Sequence, residues 1–152
     1  MTAKVMLDTN VLVYAYDCSA AFKQQTAYQL LDRLAKTNTG FLSVQVLSEF
    51  FVTVTRKIPH PLTLEDAVVR IENFCRTWTV LPLNEMIICE ALRGVQLHQF
   101  SYWDAQIWAS ARLNQVSLVL SEDFSHNQVV ESIRFFNPFR PEFGPAELPQ
   151  IF

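Results

Sequence analysis

Short apolar segments recur along this chain, and longer segments with helical periodicity separate them. The apolar segments are residues 3–7, 41–42, 78–83 and 117–120, with a fifth candidate at residues 131–136. Runs of this length are typical of buried strands, and strands that alternate with helices form parallel sheets covered on both faces. The alternation therefore predicts an α/β fold, a three-layer α/β/α architecture with a central parallel sheet.

Helix limits follow from capping residues and prolines. The predicted helices cover residues 10–17, 19–37, 44–57, 63–76, 84–99 and 101–114. Pro59 and Pro61 end the third helix, because proline cannot continue a helical hydrogen-bond pattern. Thr63, with Asp66 three residues later, has the pattern of a capping box at the start of the fourth helix. Ser19 is the predicted cap of the second helix.

A length of 152 residues is typical of one domain. The composition changes at Pro138, since four of the seven prolines lie in the last fifteen residues. We therefore predict that residues 1–137 form the folded domain and that residues 138–152 form an irregular, proline-rich tail. Phe139, Phe143 and Phe152 are the residues expected to pack the tail on the domain.

Composition also excludes several classes of function. The three glycines are too few for a P-loop or a dinucleotide fingerprint, so no nucleotide cofactor is expected. The longest apolar run, residues 11–16, is far shorter than the ~20 residues of a membrane span. The formal net charge of −3 argues against nucleic-acid binding through a general positive field, so any such binding must rest on a local site.

The cysteines and the first residues of the sequence bear on the cellular compartment in which the protein is expected. Cys18, Cys75 and Cys89 are odd in number and widely spaced, which predicts free, buried thiols in a reducing environment. Only three apolar residues stand between Lys4 and Asp8, so the pattern of a signal peptide is absent. Both observations favour a cytoplasmic location.

Two carboxylates follow predicted strands directly. Asp8 ends the first strand, and Asp123 comes shortly after the fourth. Ligands of open α/β sheets bind beyond the carboxyl ends of the strands, so both side chains would enter one crevice if these strands are neighbours. The alternative is that Asp8 caps a helix and Asp123 is an ordinary turn residue.

Asp104 and Glu49 differ in their helical surroundings. Asp104 shares a face with the apolar Ile107 and Trp108, where a carboxylate is costly unless it is paired, hydrogen-bonded or metal-bound. Its alternative is a capping arrangement with Ser101. Glu49 lies opposite the apolar stripe of its helix, together with Gln45, and periodicity alone makes it a solvated glutamate.

Other side chains give weaker signals. His60, His98 and His126 lack the spacing of metal ligands, and no GxSxG nucleophile motif is present. The tryptophans are predicted to belong to the core and not to stack on bases; they are Trp78, Trp103 and Trp108.

Four short motifs, taken in order, resemble those of the PIN-domain ribonucleases, and within them the VapC-type toxins of bacterial toxin–antitoxin pairs. The motifs are Leu7–Asn10, Ser43–Phe50, Ser101–Ala105 and Ser121–Phe124, closed by Asn137–Phe139. The resemblance covers about residues 4–139 and implies a parallel sheet with strand order 3-2-1-4-5. The sequence departs from the family pattern at one point, because Asn127 stands where toxin-like members commonly have glycine.

By this resemblance Asp8, Glu49, Asp104 and Asp123 form a catalytic acidic quartet. The three aspartates would be the nearest ligands of Mg²⁺ or Mn²⁺, and Glu49 would tune the site or hold a water. Such a cation lowers the pKa of bound water and acts as a Lewis acid, and oxygen-only ligands suit Mg²⁺ or Mn²⁺ better than zinc. The implied activity is endonucleolytic hydrolysis of RNA that leaves 5′-phosphate and 3′-hydroxyl ends.

The resemblance gives supporting roles to two further residues and implies partners. Asn10 would steady Asp8, and Ser121 would hydrogen-bond within the quartet. The implied partners are an RNA substrate, a cognate antitoxin and a second copy of the chain in a homodimer. No membrane partner is expected.

Three alternatives stay open. The chain could be an RNA-processing nuclease without an antitoxin, or a non-catalytic RNA- or protein-binding module on the same fold. A phosphatase or receiver-like domain that uses Asp8 is the third, although such a phosphatase would want a carboxylate where this chain has Asn10.

Overall fold

The central sheet of the computed structural model, which describes residues 3–141, has six strands. They are β1 (Val5–Leu7), β2 (Gly40–Ser43), β3 (Thr79–Leu81), β4 (Leu118–Leu120), β5 (Val129–Val130) and β6 (Ile133–Phe136). Their order is β3-β2-β1-β4-β6-β5, and every neighbouring pair is parallel except β5 with β6. This confirms the predicted parallel α/β sheet, in which the predicted fifth strand corresponds to β6 beside β4. The short antiparallel β5 was not predicted.

Helices cover both faces of this sheet. They are α1 (Thr9–Tyr14), α2 (Ala21–Thr37), α3 (Val44–Arg56), α4 (Leu64–Thr77), α5 (Glu85–His98) and α6 (Tyr102–Leu113). Strand order moves one way from β1 to β3 and then returns across the sheet to β4. Because parallel crossovers are right-handed, α1–α4 lie on one face and α5–α6 on the other. The chain reverses between β1 and β4, and this is the point where such sheets bind ligands.

The two strands at this reversal are fully enclosed. All residues of β1 and β4 are buried, and the two strands pair in register from Val5 with Leu118 to Leu7 with Leu120. Strands covered by helices on both faces need continuous apolar runs, and both segments have them. The residues that follow these strands are therefore held on a rigid edge.

Packing shifts several predicted boundaries. The second strand begins at Gly40, where the Trp78 ring lies so close that a Cβ atom would come within 2.1 Å of it. The third strand covers Thr79–Leu81 and is shorter than the predicted segment 78–83. Pro82 follows it directly and has no amide hydrogen for a further sheet hydrogen bond. Helix α2 begins after Ala20, and Ser19, its predicted cap, instead hydrogen-bonds to Asp17. The predicted Thr63 cap is confirmed, since its Oγ1 accepts from the Asp66 amide.

Two predictions about burial are wrong in part. All three cysteines are free, as predicted, but they are exposed and not buried. Trp78 and Trp108 belong to the core, whereas Trp103 is 61 % exposed. Within the described residues, none of the helices is long and apolar enough to cross a membrane. Phe139 of the predicted tail is buried and contacts Tyr14, while Phe143 and Phe152 lie outside the described residues.

Candidate metal centre

Asp8 lies at the junction of β1 and α1. Its backbone amide donates to the Leu120 carbonyl of β4, and its Oδ1 accepts from the Thr9 amide at 2.7 Å, which makes it the N-cap of α1. The other carboxylate oxygen accepts from the Ser121 hydroxyl at 2.7 Å. The capping alternative is thus correct in geometry, yet it occupies only one of the two carboxylate oxygens and leaves Oδ2 facing Ser121 and the neighbouring acids.

Asn10 and Ser121 join Asp8 to Asp123. The Asn10 amide nitrogen donates to Asp123 Oδ2 at 3.2 Å and to Ser121 Oγ at 3.3 Å. Ser121 Oγ in turn accepts from the Asp123 backbone amide at 3.1 Å. Ser121 is fully buried, so this short network fixes the loop after β4 against the start of α1.

Asp104 reaches the same point from the opposite face of the sheet. It lies in the first turn of α6, and its backbone amide donates to Oγ of the N-cap residue Ser101 at 3.2 Å. One carboxylate oxygen each of Asp8, Asp104 and Asp123 lies within 4.8 Å of the other two. Asp8 is buried, Asp104 half-buried and Asp123 exposed, so the cluster opens outward through Asp123.

The pKa values report how unfavourable this arrangement is without a cation. Burial raises the pKa of Asp8 to about 7, and the charges of Asp123 and Asp104 add to the effect, while hydrogen bonds from Ser121 and Thr9 oppose it. Burial also raises the pKa of Asp104, helped by the charges of Asp123 and Glu49. Within residues 3–141 none of these aspartates forms an ion pair with a lysine or arginine.

Glu49 lies beside this cluster and is not the solvated residue that periodicity predicts. It is half-buried, its Oε2 accepts from the Thr9 hydroxyl at 2.7 Å, and its Oε1 accepts from the Gln45 amide at 3.0 Å. The side of α3 opposite the apolar stripe faces the start of α6 here and not water. Glu49 is therefore oriented through both of its oxygens.

Two buried glutamines continue this contact into the protein. Gln106 of α6 donates to Gln45 Oε1 at 2.6 Å, and Gln45 Nε2 donates both to Glu49 and to the Trp103 carbonyl. Both glutamines are more than nine-tenths buried. Sequence reasoning placed Gln45 on a solvated face, and nothing in the spacing indicates that it meets Gln106.

Sequence reasoning also missed a cluster on the other side of Asp123. Glu122 accepts from the Tyr14 hydroxyl at 2.6 Å and from Lys23 Nζ at 2.9 Å, and the ammonium group lies 4.6 Å from the centre of the Tyr14 ring. These contacts hold the residue next to Asp123 against α1 and α2. They join parts of the chain about a hundred residues apart, which local patterns cannot show.

The structure thus brings three predicted aspartates into one cluster, with Glu49 adjacent and Asn10 and Ser121 between Asp8 and Asp123. The three aspartates form a candidate metal site at the edge of an α/β sheet. The chain matches the PIN domain family over residues 5–131, and it therefore belongs to that family.

Solved structures of low sequence identity share this fold. A toxin–antitoxin complex from Klebsiella pneumoniae is similar with a TM-score of 0.65 and 16 % identity, covering 91 % of this chain and 99 % of that one. VapC20 of Mycobacterium tuberculosis, a sarcin–ricin loop cleaving toxin, is similar with a TM-score of 0.63 and 20 % identity, covering 86 % of this chain and 99 % of that one. DNA-bound VapBC of Salmonella typhimurium is similar with a TM-score of 0.64 and 17 % identity, covering 90 % of this chain and 98 % of that one. No curated protein matches the sequence significantly.

Proposed function

We propose that this protein is a divalent-metal-dependent endoribonuclease and the toxin of a type II toxin–antitoxin pair. The observation that carries the proposal is the convergence of Asp8, Asp104 and Asp123, whose oxygens lie within 4.8 Å of one another. Carboxylates so close repel one another, so a nearby positive charge stabilises their charged forms. Among the described residues no basic side chain pairs with them, so the fold leaves that charge to a ligand.

The donor set fits a hard cation. All three side chains offer carboxylate oxygens, which suit Mg²⁺ or Mn²⁺ and not a soft metal. When bound, such an ion supplies a Lewis acid for the phosphate and a lowered pKa for water. The exposed Asp123 keeps one side of the cluster open for a phosphodiester, while the buried Asp8 anchors the other.

The remaining polar residues orient these ligands. Asn10 and Ser121 hold Asp8 and Asp123 at a fixed separation, because each donates or accepts within the pair. Glu49 receives a hydrogen bond at each oxygen, so both oxygens are held in place near Asp104. In this proposal Glu49 orients the attacking water and takes up its proton at a carboxylate oxygen.

The toxin assignment rests on the shared fold and on the site. The similar chains include a toxin in complex with its antitoxin and a VapBC pair bound to DNA. We propose that this chain has a cognate antitoxin and forms a homodimer, that it acts in the cytoplasm, and that residues 1–137 form the nuclease unit with residues 138–152 as its tail.

Cleavage of a single-stranded RNA by the purified full chain tests the activity. We expect cleavage with Mg²⁺ or Mn²⁺, none with EDTA, and none by Asp8→Asn, Asp104→Asn or Asp123→Asn. Asp66→Asn is a matched control for Asp104, because it also lies in the first turn of a helix with its amide on the N-cap residue. Full activity in any cluster variant, or in excess chelator, would contradict the site assignment.

Expression in bacteria tests the toxin assignment separately. Wild-type protein should arrest growth, and Asp8→Asn expressed at the same level should not. Normal growth with active wild-type protein would instead favour the RNA-processing nuclease.

A further inference from the structure

A groove of about 630 Å³ opens beside Glu49, a volume within the usual range of ligand sites. Its lining includes Glu49 itself, the apolar Leu83 and Trp103, the polar Thr53, and Lys57 from the end of α3. The groove therefore borders the acidic cluster through Glu49, and it carries an apolar wall, polar groups and one positive charge.

Trp103 is the unusual member of this lining. Its indole is 61 % exposed, whereas Trp78 and Trp108 are 8 % and 0 % exposed. It directly precedes Asp104, and its carbonyl accepts from Gln45, so the backbone that carries the ring is fixed beside the cluster. A large aromatic ring left in water at the mouth of a site has an open face for another ring.

We propose that this groove is a nucleobase subsite, in which a base next to the scissile phosphate stacks on Trp103 and Lys57 pairs with a neighbouring phosphate. The proposal rests on the ribonuclease function proposed above and deepens it. Base–aromatic stacking accepts every base, because all bases have a flat face, and a lysine beside it can follow the backbone.

The position of the groove favours a nucleic-acid strand. The lining of a smaller cavity includes Thr9, Asn10, Tyr14 and Asp17, and it shares Thr53 with the groove. The two cavities meet at Thr53, and Thr9 and Asn10 of the smaller one donate hydrogen bonds to Glu49 and Asp123. A chain of phosphates that must reach this cluster needs positive charge nearby, and Lys57 in the lining of the groove supplies it.

A neighbouring surface gives a useful contrast. A second groove shares Ser48 and Val52 with the first, but the rest of its lining is apolar apart from Glu72. It contains none of the four acidic residues of the site. Of these two grooves, the one that contains Glu49 and Trp103 combines an exposed aromatic ring, a cation and contact with the site, and these features suit a nucleotide.

Tryptophan fluorescence of the Asp8→Asn full chain tests the subsite without cleavage. Trp78 and Trp108 are buried, so quenching by an added ligand reports on Trp103. The probes are a short single-stranded RNA of mixed sequence and an abasic oligonucleotide of equal length. We expect saturable quenching by the RNA and little by the abasic chain, and loss of most of the quenching in Trp103→Phe.

Binding of labelled RNA gives the magnitude. Trp103→Ala should weaken the affinity about fivefold or more, and Lys57→Gln should reduce the slope of log affinity against log salt by about one. The matched controls are Tyr28→Ala, an aromatic side chain with 66 % exposure on α2, and Lys36→Gln on the same helix. Both should bind RNA as the parent does.

The outcomes separate this proposal from the function beneath it. Equal quenching by RNA and abasic chain, or unchanged affinity in Trp103→Ala, would overturn the subsite even if wild-type protein cleaves RNA. Base-dependent quenching at Trp103 in a protein whose wild type does not cleave RNA would support the subsite and contradict the nuclease. Weakened binding in Tyr28→Ala equal to that in Trp103→Ala would also overturn it.

Discussion

Helix α6 contributes to two clusters of charged side chains, one at each end, and the acidic groups of the two clusters are neutralised in opposite ways. At its start Asp104 meets Asp8 and Asp123, and none of them pairs with a basic residue within the described chain. Nearer its end Arg112 belongs to an arginine cluster around Trp108, which we define by Glu90, Arg93, His98, Arg112 and Glu131. The carboxylates of that cluster all have cationic partners.

The arginine cluster is neutralised inside the fold. Arg93 pairs with Glu90 and lies 3.0 Å from Glu131, and Arg112 lies 3.4 Å from Glu90. Both guanidinium groups also stack on Trp108, at 5.3 and 6.0 Å from the ring. This cluster fastens the β5–β6 turn to α5 and α6, whereas the acidic cluster leaves its charge to a ligand. The contrast predicts that stability depends on one cluster and metal binding on the other.

The largest expected difference is the response to metal. A cation that binds only the folded state stabilises it by about 2.7 kcal/mol at a hundredfold excess over Kd. For a chain of this size Tm should then rise by roughly 5–10 °C with Mn²⁺. Asp104→Asn should lose most of this rise, yet melt in EDTA at or above wild type, because one repelling charge is gone. Glu49→Gln should lose less of it.

Melting curves with EDTA and with Mn²⁺ measure both quantities for each variant. Asp66→Asn serves as the control and should keep the full rise. If Asp104→Asn melts well below wild type in EDTA and keeps the full metal response, Asp104 is a structural cap and not a ligand.

The next effect should appear in the arginine cluster. Trp108 is fully buried, and its indole nitrogen donates to the Val130 carbonyl at 3.2 Å. Trp108→Phe removes this hydrogen bond and leaves a cavity, which together should cost about 2 kcal/mol of unfolding free energy. The metal-induced rise in Tm should stay intact. Denaturant unfolding measures the loss, and Trp103→Phe, exposed on the same helix, should show almost none.

The two clusters should also respond to pH with opposite signs. The pKa of Asp8 is raised from 3.8 to about 7, so the folded state binds the proton more tightly than the unfolded state. The stabilisation of the folded state by this proton is therefore complete at low pH and is lost as pH rises through about 7. Without metal, wild type should gain stability relative to Asp8→Asn as pH falls below 7, by about 1.4 kcal/mol per unit.

The arginine cluster should behave in the reverse manner. Hydrogen bonding to His98 and to Arg93 lowers the pKa of Glu131. Its contribution is present above the ordinary pKa of glutamate and is lost as pH falls through the lowered value. Unfolding in EDTA from pH 8 to pH 3, with Asp8→Asn and Glu131→Gln compared with wild type, checks both signs. Parallel curves for wild type and Asp8→Asn would contradict the raised pKa.

Sequence predicts the sheet because its central strands are short and wholly apolar. Strand β5 escapes prediction for a physical reason: it has two residues, and the turn that follows uses Glu131 and Ser132 at positive φ. Hairpin turns of this kind are normally recognised by asparagine or glycine, and neither occurs there. The predicted fifth strand accordingly began at Glu131, two residues before β6 begins.

The candidate site also contains residues that the sequence reveals and residues that it does not. Asp8 and Asp123 could be found because strand ends share one edge of a parallel sheet, and Asp104 because its charge interrupts an apolar face. Glu49 could not be found from periodicity, since periodicity assumes that the face opposite the core meets water. At the start of α3 that face meets α6, through Gln45 and Gln106.

The smallest effect we predict tests this hidden contact. Gln106 donates to Gln45, which orients Glu49, so Gln106→Leu should make the Gln45 side chain more mobile and weaken its hold on Glu49. We expect kcat for RNA cleavage to fall about fivefold, equivalent to about 1 kcal/mol, with KM and the Mn²⁺-induced rise in Tm unchanged. Because the effect passes through Glu49, Gln106→Leu should change kcat little further in a Glu49→Gln background. Ser110→Ala, equally buried one turn along α6, is the control and should keep wild-type kcat. Losses that add fully in the double variant, or an equal loss in Ser110→Ala, would show that Gln106 supports only the packing of α6.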